Sequence, residues 1–323
     1  MSLPNFVFHN GRVVPYSEVK FGVLTHALNY GTAVFGGLRA YWNEDEKQLF
    51  IFRPHDHFRR FLQSGKLLCM ELQTSGDNLL KGLVELIRTE GHEEDLYIRP
   101  LAFYSDEIIG VRLHDLTAEV SIVVMPFGAY NKNEESMHVT VSSWRRVDDN
   151  SLPARGKIAG AYVNSAFVKT DAVRAGFDEA IVLNADGHIS EGSAANFFMF
   201  RNGILSTPPI TANVLEGITR RTVMRLVRDE LKMEVQEREI DRTELYLADE
   251  AFYCGTGAQI SAITAVDHRP IGTGRLGEVT ARLRKMYFDV VRGKVAKYRD
   301  WCHPVYELNQ KRTSKERTHV TVE

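Results

Sequence analysis

Cysteine is scarce: three occur in 323 residues, Cys69, Cys254 and Cys302. None stands in a Cys-x-x-Cys pair and the number is odd. That argues against a disulfide framework and against a structural zinc site, and it fits a reducing compartment. Charge of one sign is not in excess either. Forty Lys and Arg against 42 Asp and Glu leave a net charge of -2, too little basic charge to attract nucleic acid or an anionic membrane. An anionic substrate must therefore be caught by local arginines. No apolar run approaches the roughly 20 residues of a membrane span. Met1 to Val7 lack the basic stretch and apolar core of a signal peptide. A cytoplasmic protein without a metal site is expected.

What is present is the composition of a globular chain, 44% hydrophobic and 25% charged, enough to bury a core. The length suggests two domains. Phe6-Val7-Phe8 and Val13-Val14 about Asn10-Gly11 read as a hairpin. Apolar spacing predicts a helix after Pro54, with Phe58, Phe61, Leu62 and Leu68 on one face, and another from about Asn78 to Gly91. Strands are predicted over Leu96 to Phe103 and over Val120 to Met125, the second buried. The polar, pattern-poor stretch from Gly128 to Glu135 reads as a connection. It divides a small N-terminal domain (1–129) and linker (130–136) from a larger C-terminal domain (137–305) and a loose tail (306–323).

Beyond the linker a strand over Met137 to Val147 and a helix over about Ala161 to Ala175 are predicted. Hairpins turn at Asp186-Gly187 and Asn202-Gly203. A helix covers Ile218 to Leu231, and Asp241 to Glu244 resembles a capping box. Strands over about Glu250 to Tyr253 and Ala262 to Asp267, then a helix over Glu278 to Arg292, complete the pattern. No internal repeat is visible. Hairpins and helices without regular alternation predict an α+β fold.

Four separated segments carry chemistry. Lys157 sits among small residues, Ala154 to Ala161, with Tyr162 five positions on. Most lysines are solvated surface charges, but this one has room beside its amine for a bulky planar group. Burial lowers a lysine pKa toward the neutral, nucleophilic form. A phosphate-loop reading fails, because Ser151 stands where the first glycine belongs and Ile158 follows the lysine. Ile189-Ser190-Glu191-Gly192 offers a carboxylate, which in the plainer reading is a solvated turn glutamate. Gly217-Ile218-Thr219 opens a helix, whose free amides and dipole suit an anion. Cys254-Gly255-Thr256-Gly257 gives a second bare turn with a hydroxyl. Each has an ordinary structural explanation alone. Together they supply an amine, a phenol, a carboxylate and two phosphate-sized turns, the groups that hold pyridoxal 5'-phosphate. Gly272 to Gly277 matches the dinucleotide fingerprint, yet no second strand with an acidic residue follows, so it reads as a turn.

With these segments, His26 to Phe35, Tyr97-Ile98-Arg99-Pro100-Leu101 and Gly128-Ala129-Tyr130 make the chain resemble the fold type IV (class IV) pyridoxal-phosphate aminotransferases. The likeness, over about residues 5 to 300, is strongest to the bacterial branched-chain amino acid aminotransferases. The resemblance implies a two-domain α+β fold, a small N-terminal α/β domain beside a larger, mixed, β-barrel-like one. It implies that Lys157 joins the cofactor and shuttles the proton, that Tyr162 bonds the ring oxygen and that Glu191 meets the ring nitrogen. Arg60, rather than the adjacent Arg59, would hold the phosphate with Ile218, Thr219 and Thr256. Tyr97, Arg99 and Tyr130 would read the substrate, Arg99 meeting a second carboxylate and Tyr30 and Phe35 walling a branched side chain. The α-carboxylate would lie on Thr256 and the amides of Gly257 and Ala258. The loop at Gly110-Val111 resembles one that crosses to a partner subunit, which implies a homodimer or higher homo-oligomer. One position departs: the family commonly has Val-Phe-Glu-Gly where this chain has Val34-Phe35-Gly36-Gly37, a change that bears on substrate range.

The activity implied is reversible amino transfer from L-leucine, L-isoleucine or L-valine to 2-oxoglutarate. Same-fold alternatives are a D-amino acid or (R)-amine transaminase and an aminodeoxychorismate lyase. Tyr97-x-Arg99 and Gly128-Ala129-Tyr130 favour the branched-chain reading. A ligand-binding protein without catalysis is the alternative of another class, and the intact Lys157 and Glu191 argue against it.

Overall fold

A computed structural model describes residues 3–128 and 133–307. Asn10 and Gly11, at φ 45° and 90°, close the first hairpin, which needs two left-handed residues and so selects Asn-Gly. It joins β1 (Phe6–His9) to β2 (Arg12–Pro15). After α1 (His26–Tyr30) come β3 (Ala33–Phe35), β4 (Leu38–Asn43) and β5 (Gln48–Phe52). Then follow α2 (Pro54–Leu67) and α3 (Gly76–Glu90). Pro54 occupies the first turn of α2, where its missing N–H costs nothing. Ser75 caps α3 by accepting from the Asn78 amide, and Gly91 ends it at φ 73°. β6 (Leu96–Tyr104) and β7 (Ala118–Pro126) run side by side.

The second half is built from β8 (Met137–Arg145), α4 (Tyr162–Arg174), β9 (Glu179–Leu183), β10 (Ile189–Gly192), β11 (Asn196–Arg201) and β12 (Ile204–Thr207). They are followed by α5 (Ile218–Leu226), β13 (Glu234–Glu237), β14 (Glu250–Gly255), β15 (Gln259–Val266), β16 (Arg269–Pro270), α6 (Glu278–Val291) and β17 (Cys302–Pro304). The helix expected over Ile218 to Leu231 is α-helical only to Leu226, and its last turn, Val227–Leu231, widens to a π-turn. The capping box at Asp241 and Glu244 is present and opens a 3-10 turn. Gly272 and Gly274, at φ 50° and 73°, form the turn between β16 and α6, as the reading of the dinucleotide-like stretch requires.

Two sheets result, so the fold is α+β. The first has the order β17-β5-β4-β6-β7-β1-β2 with β3 on β6, and the second β10-β9-β8-β15-β14-β11-β12-β13 with β16 on β15. β17 brings the end of the described chain back to the first sheet. Of the expected tail, Tyr306 donates its amide to Gln48 Oε1 at 2.8 Å. The remainder, 308–323, lies outside the described residues, as do 129–132.

One core packs the first sheet on α2 and α3, through Phe58, Phe61, Leu79, Leu83 and Ile98. Another joins the two halves: Tyr41, Phe50 and Phe52 of the first sheet meet Phe198, Phe252, Leu283 and Tyr287. Each large side chain so buried contributes about 1.5–3 kcal/mol, and together they fix the two sheets as walls of a single cavity.

Candidate active site

That cavity, about 830 Å³, lies between the sheets and is lined by residues from both. Lys157 is among the lining residues. The backbone around it is pinned from the first half: Lys157 N–H donates to Ser64 Oγ at 3.1 Å, and Phe35 N–H donates to Lys157 O at 3.0 Å. Its amine contacts the Tyr162 hydroxyl and lies 4.9 Å from the ring centroids of both Phe35 and Tyr162. Burial, with the nearby Arg60 charge, lowers the Lys157 pKa to about 7. The neutral, nucleophilic form is therefore far more accessible near neutral pH than in a solvated lysine. Burial pushes Tyr162 up to about 12, so its hydroxyl keeps its proton.

Arg60, on the inward face of α2, lines the cavity and donates to Glu216 O at 3.2 Å. Burial brings its pKa down to about 10, still cationic at neutral pH. Arg59 points outward and pairs with Asp56. Arg60 thus stands near the start of α5, where Gly217 is the N-cap and no side chain caps the helix. Ile218 and Thr219 line the cavity there. Thr256, Gly257 and Ala258 form the turn between β14 and β15 and line it as well.

Glu191, 3% exposed, ends in a tight set of contacts. Arg146 Nη2 lies 2.5 Å from its Oε1, and Asn196 Nδ2 donates to its Oε2 at 2.8 Å and to Leu215 O at 2.9 Å. Burial raises the Glu191 pKa and the Arg146 charge opposes that rise. Sequence reasoning missed Arg146 and Asn196. Neither stands in a motif, and Arg146 is the second of two adjacent arginines, the first of which ends β8.

Tyr97 and Arg99 alternate on β6 and face the cavity with Phe35. Arg99 Nη2 donates to Tyr97 OH at 3.1 Å and its guanidinium sits 4.7 Å from the Phe35 ring centroid. Gly37 makes room for them, since a Cβ there would come 2.4 Å from the Tyr97 hydroxyl. Two expected substrate residues are placed elsewhere. Tyr30 is not among the lining residues; its hydroxyl accepts from Gly110 N–H at 3.0 Å. Val111 is 89% exposed, outside the cavity. The segment around Gly110 packs on α1 instead, its carbonyl 3.0 Å from His26 Nε2. A third, Tyr130, lies outside the described residues. Gly36 does not line the cavity either: a Cβ there would meet Pro100 Cγ at 2.5 Å, so the glycine answers a packing constraint.

An amine that is neutral in part, a protonated phenol, a paired carboxylate and a cationic helix-start corner form one chamber. The family described as amino-transferase class IV matches residues 33–266. The chain belongs to the class IV aminotransferases. A probable branched-chain-amino-acid aminotransferase of Aquifex aeolicus (strain VF5) is 45% identical over 303 residues, 94% of this chain and 97% of that protein. A branched-chain aminotransferase of the thermophilic archaeon Thermoproteus uzoniensis, solved with norvaline, superimposes with a TM-score of 0.89 at 42% identity, covering 93% and 99% of the two chains. The branched-chain amino acid aminotransferase of Thermobaculum terrenum, solved in its PLP-form, gives 0.90 at 38% identity, covering 94% and 99%. For a class IV aminotransferase the chamber is the candidate active site. Among its described residues, no helix is long and apolar enough to cross a membrane.

Proposed function

We propose that this aminotransferase moves amino groups reversibly between L-leucine, L-isoleucine or L-valine and 2-oxoglutarate, with pyridoxal 5'-phosphate as cofactor. The observation that carries the reading is the Lys157 amine against the Tyr162 hydroxyl, with the Glu191–Arg146 pair in the same chamber. The cofactor fits this donor set: Arg60 with the α5 start for a phosphate, Glu191 for a ring nitrogen, Tyr162 for a ring oxygen and Lys157 for an aldehyde. When bound, it supplies the electron sink that makes the substrate Cα–H acidic.

The chain's own residues do the rest. Lys157 Nζ takes the Cα proton and returns it on the other side of the exchange. Tyr162 donates its hydroxyl hydrogen without adding charge. Thr256 and the Gly257 and Ala258 amides receive the α-carboxylate. Phe35 walls the apolar side chain, while Arg99 with Tyr97 receives the distal carboxylate of glutamate. Arg60, Arg99, Arg146, Lys157 and Lys169 against Glu179 and Glu191 give the chamber a positive bias, which attracts anionic cofactor and carboxylates despite the protein's near-zero net charge.

We further propose a homodimer in the cytoplasm. The 23–28 stretch at the start of α1 and the 107–111 segment expose Val23, Leu28, Ile109 and Val111 as an apolar rim, joined by the Thr25–Glu107 bridge. In a dimer this rim is covered, and Tyr30 and Val111 are set at the partner's cavity mouth. The cysteines are free, in keeping with a reducing compartment.

The test is a visible absorbance spectrum of the purified protein before and after L-leucine, with D-alanine as control. A yellow band that is lost on adding L-leucine supports the function. A yellow protein that answers only D-alanine moves the substrate to the D-series. A protein that stays colourless with added pyridoxal phosphate sinks the proposal.

A pH dependence follows from Lys157. Only the neutral amine attacks an aldehyde. Uptake of pyridoxal phosphate by the apoprotein therefore speeds up as pH rises through about 7 and levels off above it. Stopped-flow absorbance between pH 5 and about 11, a range that spans the ordinary lysine value, checks this. An inflection near the ordinary lysine value instead would show a solvated amine.

A further inference from the structure

We propose that Arg39 is a positioning residue for the substrate α-carboxylate, acting through the Gly257–Ala258 peptide; this rests on the function proposed above. Arg39 is 2% exposed and stands on β4 directly across from Tyr97 on β6. Its side chain crosses from the first sheet to the turn between β14 and β15. Nη2 donates to Gly257 O at 3.3 Å and to Gly128 O at 2.8 Å, and Nη1 reaches Phe127 O at 3.5 Å. The guanidinium carbon lies 4.9 Å from the centroid of the Phe127 ring. Two residues on, and so on the same face of the strand, Tyr41 OH accepts from Gln259 Nε2 at 3.2 Å. Two neighbouring positions of one strand thus tether the start and the end of the 257–259 segment.

The Gly257 carbonyl and the Ala258 N–H belong to one planar peptide. A cationic donor on the oxygen fixes the plane of that peptide and deepens the positive charge on its N–H. That N–H is among the groups assigned to the α-carboxylate. Arg39 spends its donors on carbonyls rather than on a carboxylate, and its buried Nε has no partner among the described residues. Its charge therefore stays unneutralised against the carbonyl side of the Gly257–Ala258 peptide. A lysine has one point of charge and no fork, so it cannot hold the Gly128 and Gly257 carbonyls in the same geometry.

The α-carboxylate is common to every substrate and is held before and during reaction. Losing its support removes binding that is uniform along the reaction, which raises KM and leaves kcat. In the Arg39→Met holoenzyme, KM for L-leucine and for 4-methyl-2-oxopentanoate is expected to rise roughly tenfold, the scale of one charge-assisted hydrogen bond. kcat should change less than about threefold. The unreactive 4-methylpentanoate, titrated calorimetrically, should bind weaker by the same factor as the KM rise. Pyridoxal phosphate affinity should stay put, and Arg39→Lys should fall between. A general structural role predicts instead that kcat and cofactor affinity fall together. That result, or an unchanged KM, overturns the proposal. If Arg39→Met does not accumulate as folded protein, Arg39→Lys decides it by the same split. An unmodified protein inert to L-leucine sinks the function itself and says nothing about Arg39.

Discussion

Lys157→Ala is expected to abolish turnover of L-leucine, with kcat falling by at least about 10³-fold, the range lost when a positioned proton-transfer group is removed. The loss follows because no other lining group can take over from the amine. No other amine is among the cavity-lining residues except Lys169, which is held by Glu179 at 3.2 Å and by Asp178 O at 2.5 Å. The Cα proton then has no amine acceptor in the chamber. Tyr162 cannot replace it, because burial keeps its hydroxyl protonated up to about 12. The fold should survive. Lys157 is held through its main chain to Ser64 and Phe35, and alanine keeps both bonds. Removing a buried amine also removes a desolvation cost, so the apoprotein should unfold at an equal or higher urea concentration. A keto-acid assay and a urea melt on one sample separate the two effects. Turnover within tenfold of the original would mean that the proton acceptor has been misassigned.

Much of this chamber can be read in the sequence, because glycines and short motifs mark backbone that must bend. Asn-Gly and Asp-Gly turns and the Gly217 helix start carry their own local reasons. The stretch from 26 to 52 cannot be read as structure. α1 has five residues, β3 has three, and β4 buries Arg39 and Asn43 among its apolar positions, which breaks the alternation that identifies a strand. The polar partners are hidden for a related reason. Arg39, Arg146 and Asn196 act across sequence separations that no local pattern records. Arg39 reaches Gly257 over 218 positions. Family likeness assigns Tyr30 and Val111 to the substrate wall, and in a single chain neither lines it.

Arg146→Met is expected to destabilise the protein by about 3–5 kcal/mol, the usual loss when one partner of a buried ion pair is removed. Arg146 Nη2 is 2.5 Å from Glu191 Oε1, and the side chains are 17% and 4% exposed. The partial exposure of Arg146 places the effect toward the lower end, about 3 kcal/mol. Methionine leaves Glu191 with Asn196 and the Leu215 amide, too little for a buried carboxylate, which then takes up a proton. Burial already raises the Glu191 pKa, and Arg146 is the largest opposing influence, so its removal moves that pKa higher still. The sign for activity follows. If the ionised carboxylate is needed opposite the ring nitrogen, the acidic limb of kcat shifts to higher pH, and activity is lost sooner as pH falls. Adding Glu191→Gln to Arg146→Met should restore much of the stability, since a neutral amide needs no counter-ion, while leaving kcat low. The double-mutant cycle, read by urea midpoint and by the pH profile of kcat, isolates the pair. Additive losses, with an unmoved acidic limb, would mean that Arg146 serves the loop around Asn213, whose carbonyl its Nε also reaches at 3.2 Å, and not the carboxylate.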